Sequence, residues 1–305
     1  MSGLDLTPDE FDALWQQLGS KLKHYLAHLG EANAYYPPGQ PRQLQPRPPE
    51  QGETFGGLVD EFMERTTKRG IEATLGRFFG YVPGGGLPIC ALAEALTAVT
   101  NRYSGVAGAS PGAAEIENEC VLWLRNLLGM PQTAFGTLQS GGTLATACAF
   151  VAFRSACGTD SPAADRVGIF VTDQAHNCVA KAARLTGFDR SRWVNVPVDD
   201  SLRMDPQGLA QALKDNSDLA AAFVVASVGT TNTGAVDPLP ALHQVIQIHE
   251  GPPKTWLHAD AAYGGFFALT ATKKELQSHM AVADSVVLDP HKGLFLPYGC
   301  GAVLV

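Results

Sequence analysis

The sequence predicts an α/β protein, a mostly parallel sheet with helices packed on both of its faces. Three observations predict it. From residue 167 onward, short runs that are apolar at consecutive positions recur, among them "AAFVVASVG" and "SVVLDP", and strands apolar on both sides belong to a sheet buried on both sides. Helix-like stretches lie between most of these runs, the alternation that parallel crossovers require. Ionisable and hydroxyl side chains gather just after the runs, where the carboxyl ends of parallel strands meet their loops and ligands bind.

Residues 8–29 carry Phe11, Leu14, Trp15, Leu18, Leu22, Tyr25 and Leu26 at helical spacing, which predicts an amphipathic helix. The stretch "YYPPGQPRQLQPRPP", Tyr35 to Pro49, is too proline-rich for helix or central strand and reads as an extended connector. Together they predict a helical arm and connector over residues 1–85, ahead of a large domain over 86–305. In "SPGAAEIENECVLWLRNLLG" Ser110 stands as an N-cap, Pro111 at the first helical position and Gly129 just past the end. The stretch "LQSGGTLATACAFVAFR", Leu138 to Arg154, reads as a glycine turn opening an alanine-rich helix. Strands are then predicted at "VGIFVT", "WVNVPV", "AAFVVASVG", "TWLHAD", "SVVLDP" and "CGAVLV", with helices at 176–186 and 206–214.

Composition narrows the function. Of 305 residues, 45% are hydrophobic and 17% charged, ordinary values for a chain that folds around a sizeable core. Net charge is −8 and no Lys/Arg cluster is dense enough to follow a phosphate backbone, so no nucleic-acid partner is expected. The longest apolar run, "LAAAFVVASVG", is too short to cross a bilayer, and the opening "MSGLDLTPDEF" lacks the pattern of a secretory signal. A cytoplasmic protein is expected, with no membrane partner. Cys90, Cys120, Cys148, Cys157, Cys178 and Cys300 form no C-x-x-C pair, which predicts neither a disulfide framework nor a metal site.

The polar residues at the strand ends carry the chemistry. Asp260 closes "TWLHAD", Thr230 and Thr231 follow "AAFVVASVG", His176 comes shortly after "VGIFVT", and "SVVLDPHKGLF" ends in Asp289, Pro290, His291 and Lys292. The Gly-Gly pair before Thr143 offers free backbone N–H groups at a helix start, an anion site. Singly, each has a bland reading: a tight turn, a helix cap, a structural histidine, a surface lysine. Jointly they are the groups a pyridoxal phosphate site needs. A lysine forms a Schiff base with the cofactor aldehyde, a carboxylate keeps the pyridine nitrogen protonated, and a histidine can stack on the ring. Ala261 and Ala262 are small enough to let the opposite ring face approach the backbone.

These stretches also carry a resemblance. "SPGAAEIE", "SGGT", "DQAH", "GTTNTGAVDPL", "HADAAYGG" and "ADSVVLDPHKG", in that order, resemble the group II pyridoxal-phosphate-dependent decarboxylases, relatives of the aromatic-L-amino-acid and glutamate decarboxylases. The resemblance runs from about Arg77 to the last residue. It implies the large domain of fold type I, a homodimer with sites at the subunit boundary, and a carboxy-lyase that converts an L-amino acid to an amine and CO2.

By that resemblance Lys292 is the Schiff-base lysine, Asp260 the partner of the pyridine nitrogen, and His176 the stacking residue and a participant in protonation. Gly142 and Thr143 contact the phosphate, with His291 near it. Thr231 lies near the ring, Ala262 lies under it, and Tyr81 in "RFFGYVPGGG" lines the substrate pocket. Asp289 and Pro290 shape the turn. Two positions depart from the pattern: Leu144 stands where many members carry Glu, and Gly293 where some carry a large residue. The resemblance also implies a small carboxyl-terminal domain and a mobile loop after "CGAVLV", and these are expected to be missing from this chain, at a cost to water exclusion and product protonation. The same lysine and acid would serve another fold type I lyase or an aminotransferase, and a catalytically silent cofactor-binding subunit is a further alternative. Which amino acid is the substrate stays open.

Overall fold

The computed structural model describes residues 6–40, 47, 50–74, 76–82, 84–158 and 162–305, so most of the predicted proline-rich connector lies outside the described residues. The chain divides into two compact units, Met1–Gly80 and Tyr81–Val305.

In the first unit α1 (Pro8–His28) begins at a reciprocal cap. The Thr7 hydroxyl accepts from the Glu10 N–H at 3.3 Å while the Glu10 carboxylate accepts from the Thr7 N–H at 2.8 Å. The two-residue strand β1 (Tyr35–Tyr36) precedes α2 (Phe55–Thr67) and pairs antiparallel with β2 (Gly70–Ile71). The stripe that predicts α1 leaves Phe11, Trp15, Leu22 and Leu26 exposed.

The second unit runs α3 (Pro88–Thr100), α4 (Pro111–Leu127), β3 (Gly136–Gln139), α5 (Gly142–Ala156), β4 (Val167–Val171), α6 (Cys178–Leu185), β5 (Arg192–Asn195), α7 (Pro206–Asp215), β6 (Ala221–Ser227), α8 (Leu239–Ile248), β7 (Lys254–Asp260), α9 (Leu276–Met280), β8 (Ser285–Leu288), α10 (Pro290–Gly293) and β9 (Gly301–Leu304). The strands form one sheet in the order β3-β9-β8-β7-β6-β4-β5. Neighbours are parallel from β8 to β5, and β9 alone among the described strands runs against both of its neighbours.

Period-two alternation splits the core in two. On β6, Phe223 and Val225 join Phe150, Phe153 and Phe188 on the face covered by α5 and α6. Ala222, Val224 and Ala226 join Leu209, Leu213, Leu239, Leu242 and Leu124 on the face covered by α7, α8 and α4. Phe150 stacks on Phe223 at 4.2 Å between centroids. Both faces are therefore filled, and ligands are left with the sheet's edges.

The helix ends follow local chemistry. Gly129, at φ +66°, stops α4. Ser110 holds the N-cap position of α4, but its hydroxyl makes no capping bond there. Asp205 caps α7 by accepting from Gln207 N–H at 3.2 Å and Gly208 N–H at 2.9 Å. Two features depart from the sequence expectation. β3 has no apolar run to announce it and exists through its pairing with β9, and "CGAVLV" forms the one reversed strand.

Candidate active site

The carboxyl ends of β3, β4, β6, β7 and β8 lie at one edge, and the reversal of β9 brings its first residue, Gly301, there too, opposite Gln139. A cavity of about 380 Å³ opens at this edge, within the size range of small-molecule sites. Gly142, Thr143, His176, Thr231, Asp260, Ala262, His291 and Lys292 all line it. Tyr81 is not in that lining; it is 77% exposed at φ +57°, and its neighbour Val82 faces the cavity instead.

The glycine turn between β3 and α5 forms one wall. Gly141 sits at φ +143°, a conformation that favours glycine, and its carbonyl accepts from Ala145 N–H to start α5. The fifteen-residue helix aims its first, unpaired N–H groups and the positive end of its dipole at the cavity. No side chain can intervene. A Cβ on Gly142 would stand 2.9 Å from Asp289 Oδ2, and one on Gly301 only 2.7 Å from the Gly141 Cα.

Lys292 lies on the single turn of α10, with Asp289 at its N-cap position and the Lys292 N–H donating to the Asp289 carbonyl at 2.8 Å. Its ammonium meets Asp289 Oδ2 at 2.8 Å, while that carboxylate is almost fully buried and its Oδ1 has no hydrogen-bond partner. Shaping a turn is therefore only part of what Asp289 does. His291 Nδ1 donates to the Cys300 carbonyl, so the neutral ring keeps its lone pair on Nε2, which lies 3.8 Å from Asp289 Oδ2.

At the other end, Asp260 terminates β7 and is buried. Its Oδ1 accepts from Ala262 N–H at 3.3 Å, and the Cys178 thiol lies 3.9 Å from Oδ2. Burial raises the Asp260 carboxyl above its ordinary range, opposed by the Ala262 N–H and by the charges of Lys292 and His176. Cys178, whose thiol is pushed up to about 12 mainly by burial, also lies 4.0 Å from the Thr146 hydroxyl, which donates to the Gly142 carbonyl at 2.8 Å. His176 Nδ1 accepts from Cys178 N–H at 3.2 Å, leaving Nε2 to carry the proton of the neutral ring.

Sequence reasoning did not single out Cys178 or the Asp289 ion pair. A lone cysteine carries no spacing signal. The three-residue interval from Asp289 to Lys292, with Pro290 inside it, was the available clue to a pair on one helical turn.

The donor set suits a pyridoxal phosphate. A side-chain-free turn at a helix start matches a phosphate, and an under-bonded buried acid matches a cationic ring nitrogen. A lysine shares the same cavity. A doubly covered α/β sheet with that set at its carboxyl edge defines the pyridoxal-phosphate class of fold type I.

The chain belongs to the pyridoxal-dependent decarboxylase family: residues 38–305 match the pyridoxal-dependent decarboxylase conserved domain. It is 32% identical to an aromatic-L-amino-acid decarboxylase of Bacillus atrophaeus over 75% of this chain and 47% of that protein. It is 31% identical to a tyrosine decarboxylase of Oryza sativa subsp. japonica over all of this chain and 60% of that protein. The chain thus spans about half to three-fifths of these relatives' length. The crystal structure of Oryza sativa TDC with PLP and tryptamine superposes with a TM-score of 0.88 at 24% identity, covering 100% of this chain and 68% of that one, a likeness of fold.

Proposed function

We propose that this chain carries out the decarboxylation of an L-amino acid to an amine and CO2 with pyridoxal phosphate as cofactor. One observation carries the reading: Lys292 and Asp260 open into one cavity from neighbouring strands. Asp260 ends β7 in register with Val287 of β8, and Lys292 follows β8 on the turn of α10. In this reading Gly142, Thr143 and His291 hold the phosphate, Asp260 the ring nitrogen, and Lys292 the aldehyde carbon. His176 and Ala262 take the two ring faces, Thr231 lies beside the ring, and Tyr81 meets the substrate.

When bound, the cofactor supplies a ring that accepts the electron pair left as CO2 departs. Asp260 keeps that ring cationic, and its desolvation strengthens the interaction. His176 leaves Nε2 without a backbone partner; once protonated at both ring nitrogens, with the Cys178 N–H contact released, it can deliver the Nε2 proton inside the cavity and return to the neutral ring. Lys292 is held by Asp289 until an aldehyde arrives.

A dimer belongs to the same reading, supported by the exposed row Ile89, Leu92, Leu96 and Val99 on α3, an apolar face that a second copy would cover. A reducing, cytoplasmic setting fits six cysteines that are all free. Among the described residues no helix is long and apolar enough to cross a membrane.

The test is an absorbance spectrum of the protein with pyridoxal phosphate, borohydride fixation with peptide mapping, and a panel of amino acids scored for CO2 and amine against keto acid. Cofactor fixed at Lys292 together with amine and CO2 supports the reading. Keto acid with no CO2 would make the chain an aminotransferase, and fixation without turnover of any amino acid would make it a silent binding subunit.

A further inference from the structure

We infer that Asp289 is a positioning residue that holds the Lys292 ammonium at the cavity wall before any cofactor arrives. The inference deepens the proposed function, since it concerns the lysine on which that function rests. Three observations support it.

The slot that receives the Asp289 carboxylate is built for it. A Cβ on Gly142 would stand 2.9 Å from Oδ2, and one on Gly301 would stand 3.0 Å from Oδ1. Only residues without side chains leave room for a carboxylate there. Asp289 is also immobile: it is 2% exposed, and its own carbonyl is engaged by the Lys292 N–H at 2.8 Å. A carboxylate fixed in this way aims the amine it binds instead of following it.

The contact is directional and close. Lys292 Nζ lies 2.8 Å from Oδ2, a charge-assisted hydrogen-bond distance, and the lysine side chain keeps 22% of its surface exposed, enough to be reached from the cavity. Competing groups are weaker. Asp260, the other acid of the cavity, already takes Ala262 N–H, and its Oδ2 faces the Cys178 thiol. His291 is 3.8 Å from the same Oδ2, but its Nδ1–H is committed to the Cys300 carbonyl.

The balance of partners is unequal. Oδ2 has Lys292, whereas Oδ1 is buried without a partner. A buried acceptor left open is costly, and this one belongs to a residue that lines the cavity. When Lys292 joins a cofactor the same carboxylate is left facing the glycine turn, so loading must exchange the Asp289–Lys292 contact for another.

The test needs no cofactor. In the cofactor-free protein, competitive labelling of lysines by a small amine reagent, read by peptide mass, reports how freely each amine reacts. We expect Lys292 to label slowly in the wild type, faster in D289N, and faster again in D289A, by on the order of tenfold overall, the weight of one charge-assisted hydrogen bond. Exposed Lys21 should label alike in all three. A merely structural Asp289 would change melting temperature and leave the Lys292 rate as it was, and that result would overturn the inference. Should both variants fail to fold, lysine ¹⁵N NMR of the wild type decides: a protected ammonium that disappears in K292A supports the inference, and its absence overturns it. Failure here leaves cofactor fixation at Lys292 untouched, whereas failure of that fixation would sink the functional reading alone.

Discussion

Gly301→Ala is expected to damage the site chiefly through the backbone, with its Cβ also pressing within 3.0 Å of Asp289 Oδ1. Gly301 begins β9 between the glycine turn after β3 and the acid after β8, and a Cβ there would lie 2.6 Å from the Gly141 carbonyl carbon and 2.7 Å from its Cα. Carbon atoms rest comfortably at about 3.5–4.0 Å, so one of two backbones must retreat by roughly 1 Å. Neither is a flexible side chain. Overpacking of this kind costs about 1–3 kcal/mol, which for a unit of this size lowers the melting temperature by about 2–4 °C per kcal/mol. Displacement of the turn should also weaken cofactor binding by at least about tenfold, since ligand cradles tolerate little misplacement.

Gly299→Ala is the control. Gly299 sits at φ +95° with nothing within 4 Å, so alanine there is strained but displaces nothing. It should cost about 1 kcal/mol and leave cofactor affinity unchanged. Differential scanning fluorimetry of the cofactor-free proteins, followed by titration with pyridoxal phosphate, measures both quantities. If Gly301→Ala melts within 1 °C of wild type and binds cofactor normally, by these estimates the argument from close backbone approach is wrong.

Other consequences follow from the same geometry. Burial raises the Asp260 carboxyl above the ordinary carboxylate range, so its contribution to the stability of the cofactor-free protein is present at low pH and lost as pH rises through the folded-state pKa. Asp260→Asn should therefore melt higher relative to wild type at neutral pH than near pH 4 while abolishing turnover, and a difference in melting temperature that does not change with pH counts against the burial argument. The Cys178 thiol, pushed up to about 12 from 9.0, should alkylate on the order of a thousandfold more slowly than an ordinary cysteine in the native protein, and at ordinary rate in denaturant; rapid native labelling in a peptide map would refute its protonated state. Phe223→Ala empties the centre of the aromatic cluster on the α5 face, where Phe223 is 0% exposed, and should cost about 3–5 kcal/mol by denaturant titration; a cost below about 1 kcal/mol would mean that the cluster is loosely packed.

The fold was legible where burial is two-sided. β6 reads as a strand because all seven of its residues are buried and apolar or small, and β8 announces itself in the same way, whereas β7 is buried only from Leu257 to Asp260. β3 was not legible: Gly-Thr-Leu-Gln has no periodic signal, and its place is set by a ladder to β9 more than 160 residues away and by the Glu117 carboxylate, which accepts from Leu138 N–H and the Thr137 hydroxyl. The direction of β9 could not be read either, because an apolar run carries no sign. At the site, the strand-end rule accounts for His176, Thr231, Asp260, His291 and Lys292 around one cavity and the glycine turn for Gly142 and Thr143, whereas Tyr81, named by the resemblance alone, is outside the lining. The partner of Lys292 was hidden because a proline-containing Asp-to-Lys interval reads first as a turn and only in three dimensions as an ion pair.

The buried acids of the second unit separate scaffold from chemistry by how completely each is bonded. Asp237 lies away from the cavity lining and has both oxygens engaged, Oδ1 by Met204 N–H at 2.7 Å and Oδ2 by Ser227 N–H at 2.6 Å. Burial still pushes it up to about 6, yet each of its oxygens has a backbone donor, so it pins the loop after β6. Asp260 has one backbone donor and a thiol, and Asp289 has one ammonium and an oxygen with no partner. Desolvating a carboxylate without satisfying it is unfavourable, and a fold selected for stability alone would bond all three alike. The deficit instead falls on the two acids that line the cavity, one after each of two neighbouring strands, which is where a ligand with cationic or hydrogen-bond-donating groups would make it good.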